Sequence, residues 1–263
     1  MRHVFRFLGR PTEEDRWILT DEENHHLSKV LRLEVGDTVE ACDGEGLWAS
    51  CLIETIGKNE TTLRVVRSNA GSLAVHQESP PKLRIVLCIG ALKPGSFDEI
   101  LPHLIELGVD AIHLFHQPGS AKSRLADKAA LRWDRLIHQS VKQCKRSWIP
   151  QVKTHDDLQT LLQITALSGK DRKFYLSPEG SSSLFDALMS EPQNMRDREV
   201  CCVCLVVGGE QGLSASEEAT LAGAAFKGVR LGRHILRAVT AAISATAVVS
   251  SYRDRDVSSI VLE

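Results

Sequence analysis

Apolar and polar positions divide the chain into two regimes. In the first part the runs are short and alternating, as in Thr38-Val39-Glu40-Ala41 and Leu63-Arg64-Val65-Val66, with Gly36-Asp37 and Asp43-Gly44 as punctuation. Alternation interrupted by turn residues predicts strands with one buried face. Trp48 to Ile56 is a further strand candidate, and Glu22 to Leu31, carrying His25, His26, Val30 and Leu31, suits one short helix. These segments predict a small barrel of about 70 residues. From Asn69 to Lys82 large apolar residues thin out and Gly71, Ser72, Ser79, Pro80 and Pro81 gather, as in a linker or hairpin exit.

Beyond that point the period changes. Leu83 to Ile89 is a continuous apolar run of strand length. Phe97 to Leu107 has helical spacing and stops at Gly108, a residue type that closes helices. Strands are predicted at Asp110 to Phe115, Phe174 to Leu176, Val200 to Val207 and Gly228 to Leu231, and helices at Leu131 to Lys145, Ser214 to Ala225 and Ile235 to Ser251. The alternation predicts an α/β fold with a mostly parallel sheet covered on both faces. Such sheets bind ligands beyond the carboxyl ends of their strands. The expected domains are residues 1–75 and 76–263.

Two glycine turns stand at predicted strand ends. Val206-Val207-Gly208-Gly209-Glu210-Gln211-Gly212-Leu213 leaves a buried strand and enters a helix whose start is marked by the Ser214/Glu217 capping-box spacing. It lacks the order of a dinucleotide fingerprint and the Gly-Lys-Ser/Thr of a P-loop, so phosphate gripping is not indicated. A plain glycine-capped turn is the alternative to a ligand loop. The second turn, Leu231-Gly232-Arg233-His234-Ile235-Leu236-Arg237, joins a short strand to the last helix. Together the two turns could enclose an adenosine-like ligand with backbone groups. Ala241, Ala242, Ala245 and Ala247 give that helix a small-residue surface, suited to close approach of another helix or subunit and equally to helix propensity alone.

The 263 residues carry a formal charge of -2, which argues against a chain that is basic throughout but leaves room for a local patch. One segment supplies it. Lys122, Arg124, Lys128, Arg132, Arg135, Lys142, Lys145, Arg146 and Lys153 face only Asp127 and Asp134, with Trp133 and Trp148 nearby. This reads either as an RNA surface or as a solvated helix face over core tryptophans. Seven scattered cysteines do not suggest a disulfide framework, and in Cys201-Cys202-x-Cys204 adjacent strand residues point to opposite faces. Buried thiols are expected there, and no metal site, since no His-Glu-x-x-His or compact acidic cluster occurs. No apolar run approaches the roughly 20 residues of a membrane span, and the N-terminus lacks the apolar core of a signal peptide, so a cytoplasmic location is expected.

Several motifs, in order, resemble one family. They are Arg2-x-x-Phe5, the run His25-His26-Leu27-Ser28-Lys29-Val30-Leu31-Arg32-Leu33-Glu34-Val35-Gly36-Asp37, and Asp43-Gly44-x-Gly46. Glu106-Leu107-Gly108-Val109 and Gln143-x-x-Arg146-x-x-x-Pro150 follow. The set ends with Gly208-x-Glu210-x-Gly212-Leu213-Ser214 and Leu231-Gly232-x-x-Ile235-Leu236-Arg237-x-x-Thr240-Ala241-Ala242. The set spans nearly the whole chain and is similar to the bacterial 16S ribosomal RNA (uridine-N3) methyltransferases of the SPOUT superfamily. The resemblance implies a PUA-like RNA-binding barrel, then a methyltransferase domain with a trefoil knot at approximately 174–251, and a homodimer acting on small-subunit ribosomal RNA. It implies S-adenosyl-L-methionine held by Leu176, Ser177, Pro178, Val207, Gly208, Gly209, Glu210, Gly212, Leu231, Gly232, His234, Ile235, Leu236 and Thr240. Arg237 is the first candidate for stabilising a uracil anion and His234 a second catalytic candidate. Arg2, Arg32, Arg124 and Arg146 are the RNA-contact candidates, with no DNA or membrane partner. The chain also departs from the family pattern. Gly209 stands for a usual proline, His234 for an arginine, Val239 for a glutamate and Lys142 for a glutamate. These departures keep two alternatives open: methylation of another RNA position, or a non-catalytic RNA-binding protein.

Overall fold

The computed structural model describes residues 4–67, 71–93, 95–118, 126–164, 171–190 and 201–255. Two compact units emerge, one of Met1–Pro80 with His138–Ile149, the other of Pro81–Ile137 with Pro150–Glu263.

In the first unit β1 (Arg6–Pro11), β2 (Arg16–Leu19), β3 (Thr38–Cys42), β4 (Leu47–Ile56) and β5 (Thr61–Val65) pair in the order β3-β1-β2-β5-β4, and β4 returns to β3, so the five strands close. Closure removes exposed sheet edges. The interior is filled by Phe7, Trp17, Leu19, Val39, Ala41, Ala49, Ile53 and Leu63, each fully or almost fully buried. Helix α1 (Asp21–His25) continues as a π-helical turn, His26–Val30, whose Leu27 enters the same core. Arg32 follows with φ 53, the left-handed geometry usual after a helix end, and there Leu33 N–H donates to Leu27 C=O at 3.1 Å. Buried Asn24 fixes α1 by donating to Gly57 and Lys58 carbonyls and accepting from Thr61 Oγ1 at 2.6 Å. The supposed linker is not structureless: β6 (Val75–Gln77) lies in it and pairs with β4. Polar composition concealed that strand because all three of its residues are exposed.

Residues 138–149 seat on the Asp43–Leu47 turn. Asp43 Oδ1 accepts from Glu45 and Leu47 N–H, and Gly44 and Gly46 take φ +83 and +101. Cβ atoms there would come within 2.3 Å of Ile149 and 2.5 Å of Trp148, so the two glycines admit this segment. Arg6, nearly buried, bonds Glu40 and the Lys145 carbonyl and lies over Trp48. Lys142 pairs with Glu23, both side chains largely buried, and Lys145 pairs with Glu40.

The second unit is a seven-stranded sheet. Its strands are β7 (Leu83–Gly90), β8 (Ala111–Phe115), β9 (Gln151–His155), β10 (Arg172–Leu176), β11 (Ser182–Ser183), β12 (Cys201–Val207) and β13 (Lys227–Arg230). The order is β11-β13-β10-β12-β7-β8-β9 and every pair is parallel. Its helices are α2 (Ser96–Glu106), the longer α3 (Ala126–Gln143), whose last turns belong to the first unit, α4 (Leu158–Ile164), α5 (Leu184–Met189), α6 (Ala215–Gly223) and α7 (Ala238–Asp254). One sheet face packs Val86, Cys88, Phe115, Cys204 and Val206 against Leu158, Leu161 and Leu221. The other meets α7, whose buried Ala241, Ala242, Ala245, Thr246 and Val249 lie against β7 and β12, with α2 and α5 beside it. Burial on both faces accounts for the continuous apolar runs. Helix α7 begins at Ala238, three residues later than its predicted start, because Leu231–Arg237 form a loop. On the outer strands His113 and His155 stack, with ring nitrogens 2.8 Å apart. Burial, helped by His155 and nearby cations, lowers the His113 pKa to about 4, and burial also lowers that of His155.

Candidate functional site

Strands β12, β10 and β13 are sheet neighbours running the same way, so the segments that follow them emerge side by side, roughly 4.8 Å from strand to strand. The first begins at Leu176, opposite Val229. Ser177 is buried; its N–H donates to Val229 C=O at 2.9 Å and its Oγ accepts from Glu179 N–H. A Cβ on Gly180 would stand 2.5 Å from the Val229 carbonyl carbon, so glycine alone allows this segment to lie on β13. Arg230 closes it by donating to Gly180 C=O at 2.9 Å. Pro178 and Glu179 remain exposed.

The second segment leaves buried Val207 and folds on itself. A Cβ at Gly208 would sit 2.3 Å from the Gly212 carbonyl carbon, Gly212 N–H donates to Gly209 C=O at 3.0 Å, and Gly212 has φ +76. The turn requires glycine at 208 on contact grounds and at 212 on conformational grounds. Ser214 then caps α6 with the reciprocal Glu217 capping box expected from their spacing. Glu210 turns outward to Lys93 at 2.8 Å.

The third segment, 231–237, is the most open. Gly232, His234, Ile235, Leu236 and Arg237 are exposed, Ile235 at 84%, while Leu231 is half-buried. Arg237 is the N-cap of α7, accepting from Ala241 N–H through its carbonyl at 2.8 Å and leaving its guanidinium out of the cap. Thr240 is exposed on the first turn.

The structure thus gathers Leu176, Ser177, Pro178, Val207, Gly208, Gly209, Glu210, Gly212, Leu231, Gly232, His234, Ile235, Leu236, Arg237 and Thr240 at one carboxyl edge of one sheet. Cβ atoms built on Gly212 and Gly232 meet nothing within 4 Å, so open space borders the backbone at both positions, the N–H and C=O of Gly212 themselves being bonded to Gly209 and Gln117. Apolar Ile235 and Leu236 stand on the same loop, and hydrocarbon of this kind suits the face of an uncharged ring. Among the described residues no cluster of three His, Cys, Asp or Glu could hold a metal. The Cys204 thiol lies 3.7 Å from that of Cys88, and this contact together with burial raises its pKa well above the usual range, so it packs as an apolar group.

The RNA-contact candidates are not gathered. Arg32 is exposed and Arg146 half-buried, both in the first unit, and Arg2 and Arg124 lie outside the described residues. The basic face of α3 is largely neutralised. Arg132 pairs with Asp98 at 2.7 Å, and Lys142 with Glu23. Trp133 donates to the same Asp98 and packs edge-on against Phe97. Two residues the sequence did not single out belong to the site's scaffold: Lys93, the partner of Glu210, and Gln117, whose amide bonds the second turn.

Two family models match the chain, an RNA methyltransferase domain at residues 78–250 and an RNA methyltransferase PUA domain at residues 19–66. Among curated proteins, the ribosomal RNA small subunit methyltransferase E of Bacillus subtilis is 27% identical over 90% of this chain and 91% of its own length. Its namesake from Mycobacterium tuberculosis is 26% identical over 90% and 87%. In fold the chain is similar to a Neisseria gonorrhoeae ribosomal RNA small subunit methyltransferase E solved with S-adenosyl methionine bound (TM-score 0.75, 22% identity, 95% of this chain and 98% of that one). It is also similar to a Legionella pneumophila protein solved with the same cofactor (TM-score 0.77, 23% identity, 95% and 97%). Since the first model alone spans most of the sequence, and the second accounts for the barrel, the chain belongs to the family of RNA methyltransferases that carry a PUA-type domain.

Proposed function

We propose that the chain transfers the methyl group of S-adenosyl-L-methionine to N3 of a uridine in small-subunit ribosomal RNA. The observation that carries this reading is the row of three glycine-containing turns on neighbouring parallel strands, with open space beside the Cα atoms of Gly212 and Gly232. Leu176–Gly180, Gly208–Leu213 and Leu231–Leu236 would hold the cofactor, which when bound supplies an electrophilic methyl on a sulfonium. The family match and the ribosomal RNA methyltransferases among the relatives support both the chemistry and the substrate class.

Uridine N3 carries a weakly acidic proton, so the chain must favour its loss and steady the charge that spreads to the uracil oxygens. Arg237 would perform that task. Its guanidinium is exposed at the N-terminus of α7, where the helix dipole adds to the positive field. His234, three residues earlier on the same loop, would accept the proton or orient the nucleotide. The barrel, residues 1–75 by the sequence division, would grip RNA through Arg32, with Arg146 of the 138–149 segment that joins the same compact unit, and residues 76–263 would carry the transfer.

Three further assignments belong to this reading. A trefoil knot at approximately 174–251 is supported by the path of the chain: β13 lies beyond β10 from β12, and α7 then returns behind β7 and β12. A homodimer is supported by the exposed Ile235 and Leu236 beside the site. A cytoplasmic location follows from a ribosomal RNA substrate.

The test is calorimetric titration with S-adenosyl-L-methionine, followed by methyl transfer to naked RNA and to small subunits, with the modified base mapped by mass spectrometry. Binding and a single N3-methyluridine are expected. Absence of binding by folded protein that still binds RNA would overturn the reading in favour of a non-catalytic RNA-binding protein.

A further inference from the structure

Gln117 lies just beyond β8, a strand that carries none of the three turns. Its amide nevertheless holds the second turn at both ends. Oε1 accepts from Gly209 N–H at 2.7 Å, and Nε2 donates to Gly212 C=O at 3.0 Å and to the Glu217 carboxylate at 3.0 Å. Oε1 accepts while the NH2 donates, so only a primary amide satisfies this set without a change of charge. The seat is tight. A Cβ would come 2.2 Å from Oε1 at Gly90 and 2.7 Å at Gly209, so the two glycines make the room that the amide fills. Glu217 is itself fixed by Ser214, which ties β8, the turn and the start of α6 into one hydrogen-bonded chain.

Three of the five residues from 208 to 212 are glycine, and without restraint such a segment samples many conformations. We propose that Gln117 is the positioning residue of the Gly208–Leu213 turn, setting its backbone before the cofactor binds. The proposal rests on the reading of that turn as part of the S-adenosyl-L-methionine site. Gln117 acts through the turn's amides and touches no reacting atom.

The experiment compares wild type, Gln117→Ala and Gln117→Glu by hydrogen exchange without ligand and by titration with S-adenosyl-L-methionine. Gln117→Ala should speed exchange at Gly209 and Gly212 roughly tenfold or more while Leu205 and Val206 in β12 stay protected. It should weaken cofactor affinity by roughly tenfold, the scale of one or two lost hydrogen bonds. At saturating cofactor and RNA, kcat should stay within about twofold of wild type while the KM for cofactor rises. Gln117→Glu keeps the acceptor for Gly209 but sets a second carboxylate against Glu217. Its affinity should therefore be poor at alkaline pH and recover on acidification, when the pair shares a proton, a recovery Gln117→Ala cannot show. Unchanged exchange at Gly209 in Gln117→Ala would overturn the clamp. Faster exchange with unchanged cofactor affinity would reduce Gln117 to a structural contact. A wild-type protein that binds no cofactor would overturn the reading of the site, and the positioning role with it, whatever the exchange rates.

Discussion

Replacing Lys142 by Met should unfold the barrel unit far more readily than the loss of one surface charge would. The Lys142 side chain is 15% exposed and that of Glu23 is 7%, and the second Glu23 oxygen, Oε2, is buried without a hydrogen-bond partner among the described residues. Lys142→Met leaves that carboxylate uncompensated, for which the cost is about 3–5 kcal/mol. Glu23→Gln leaves an ammonium instead, on a flexible stem that can swing toward water, and should cost about 1–2 kcal/mol. The double variant Glu23→Met/Lys142→Met removes both charges and should fall within about 1 kcal/mol of wild type. Measuring Glu23→Met beside Lys142→Met and the double variant closes the cycle and gives the coupling, while Glu23→Gln reports the asymmetry between the two partners. Urea unfolding followed by tryptophan fluorescence measures it, because Trp17, 2% exposed, sits in the same barrel core. A cost below about 1 kcal/mol for Lys142→Met would refute the reasoning, because it would mean the pair is solvated like a surface ion pair. Lys142 would then be available to phosphate, and its loss would reduce the salt dependence of RNA binding instead.

Other expectations follow from the same contacts. Arg237→Ala should cut methyl transfer by about 100-fold or more with cofactor affinity unchanged, the loss typical of one anion-stabilising donor; calorimetry beside single-turnover kinetics checks it, and equal rates would remove Arg237 from the chemistry. Gly208→Ala would push a Cβ to 2.3 Å from backbone carbon and should abolish cofactor binding, whereas Gly212→Ala meets open space and should carry only the left-handed strain of about 1–2 kcal/mol; parallel titrations would distinguish the two. Because the folded-state pKa of His113 is depressed to about 4, its unfolded form takes up a proton first as pH falls. Stability should be full above about pH 6.5 and decline toward pH 4, at a slope of no more than about 1.4 kcal/mol per pH unit from this group. His113→Phe should flatten that slope between pH 7 and 5 in urea titrations, and an unchanged slope would exonerate the histidine pair.

The elements that could be read ahead were those whose burial is total or whose caps are local. Leu83–Ile89 and Cys201–Val207 announce themselves because both faces of the sheet are covered, and Ser214/Glu217 because a capping box is a contact between neighbours in sequence. The strands that escaped reading lie outside such rules. β1 and β2 bury only two residues each, β6 is wholly exposed, β11 is two residues long and β9 alternates only weakly, so register with a distant partner decides them. The basic helix shows the same limit from the other side. Its charges were legible, but their partners Asp98, Glu23 and Glu40 are 34, 119 and 105 residues away, and it is the partner that decides whether a cation is available to RNA.

The candidate site combines both kinds of information. Glycines at 208, 212 and 232 mark where backbone must turn tightly or stand open, and that much is local. What makes the turns a site is that β12, β10 and β13 are adjacent although the chain visits them in another order, and that a side chain from beyond β8 holds one turn in place. No hydrophobic period encodes either fact. A sequence with the same glycines and a different strand order would scatter the three turns along the sheet, and a sequence with the same order but without an amide at 117 would leave the turn after β12 without its side-chain clamp. The order of the strands supplies the site's existence, and contacts such as that of Gln117 supply its shape. Substitutions at the glycines should therefore abolish binding or strain the backbone, while substitutions at Gln117 should change affinity in steps and with pH.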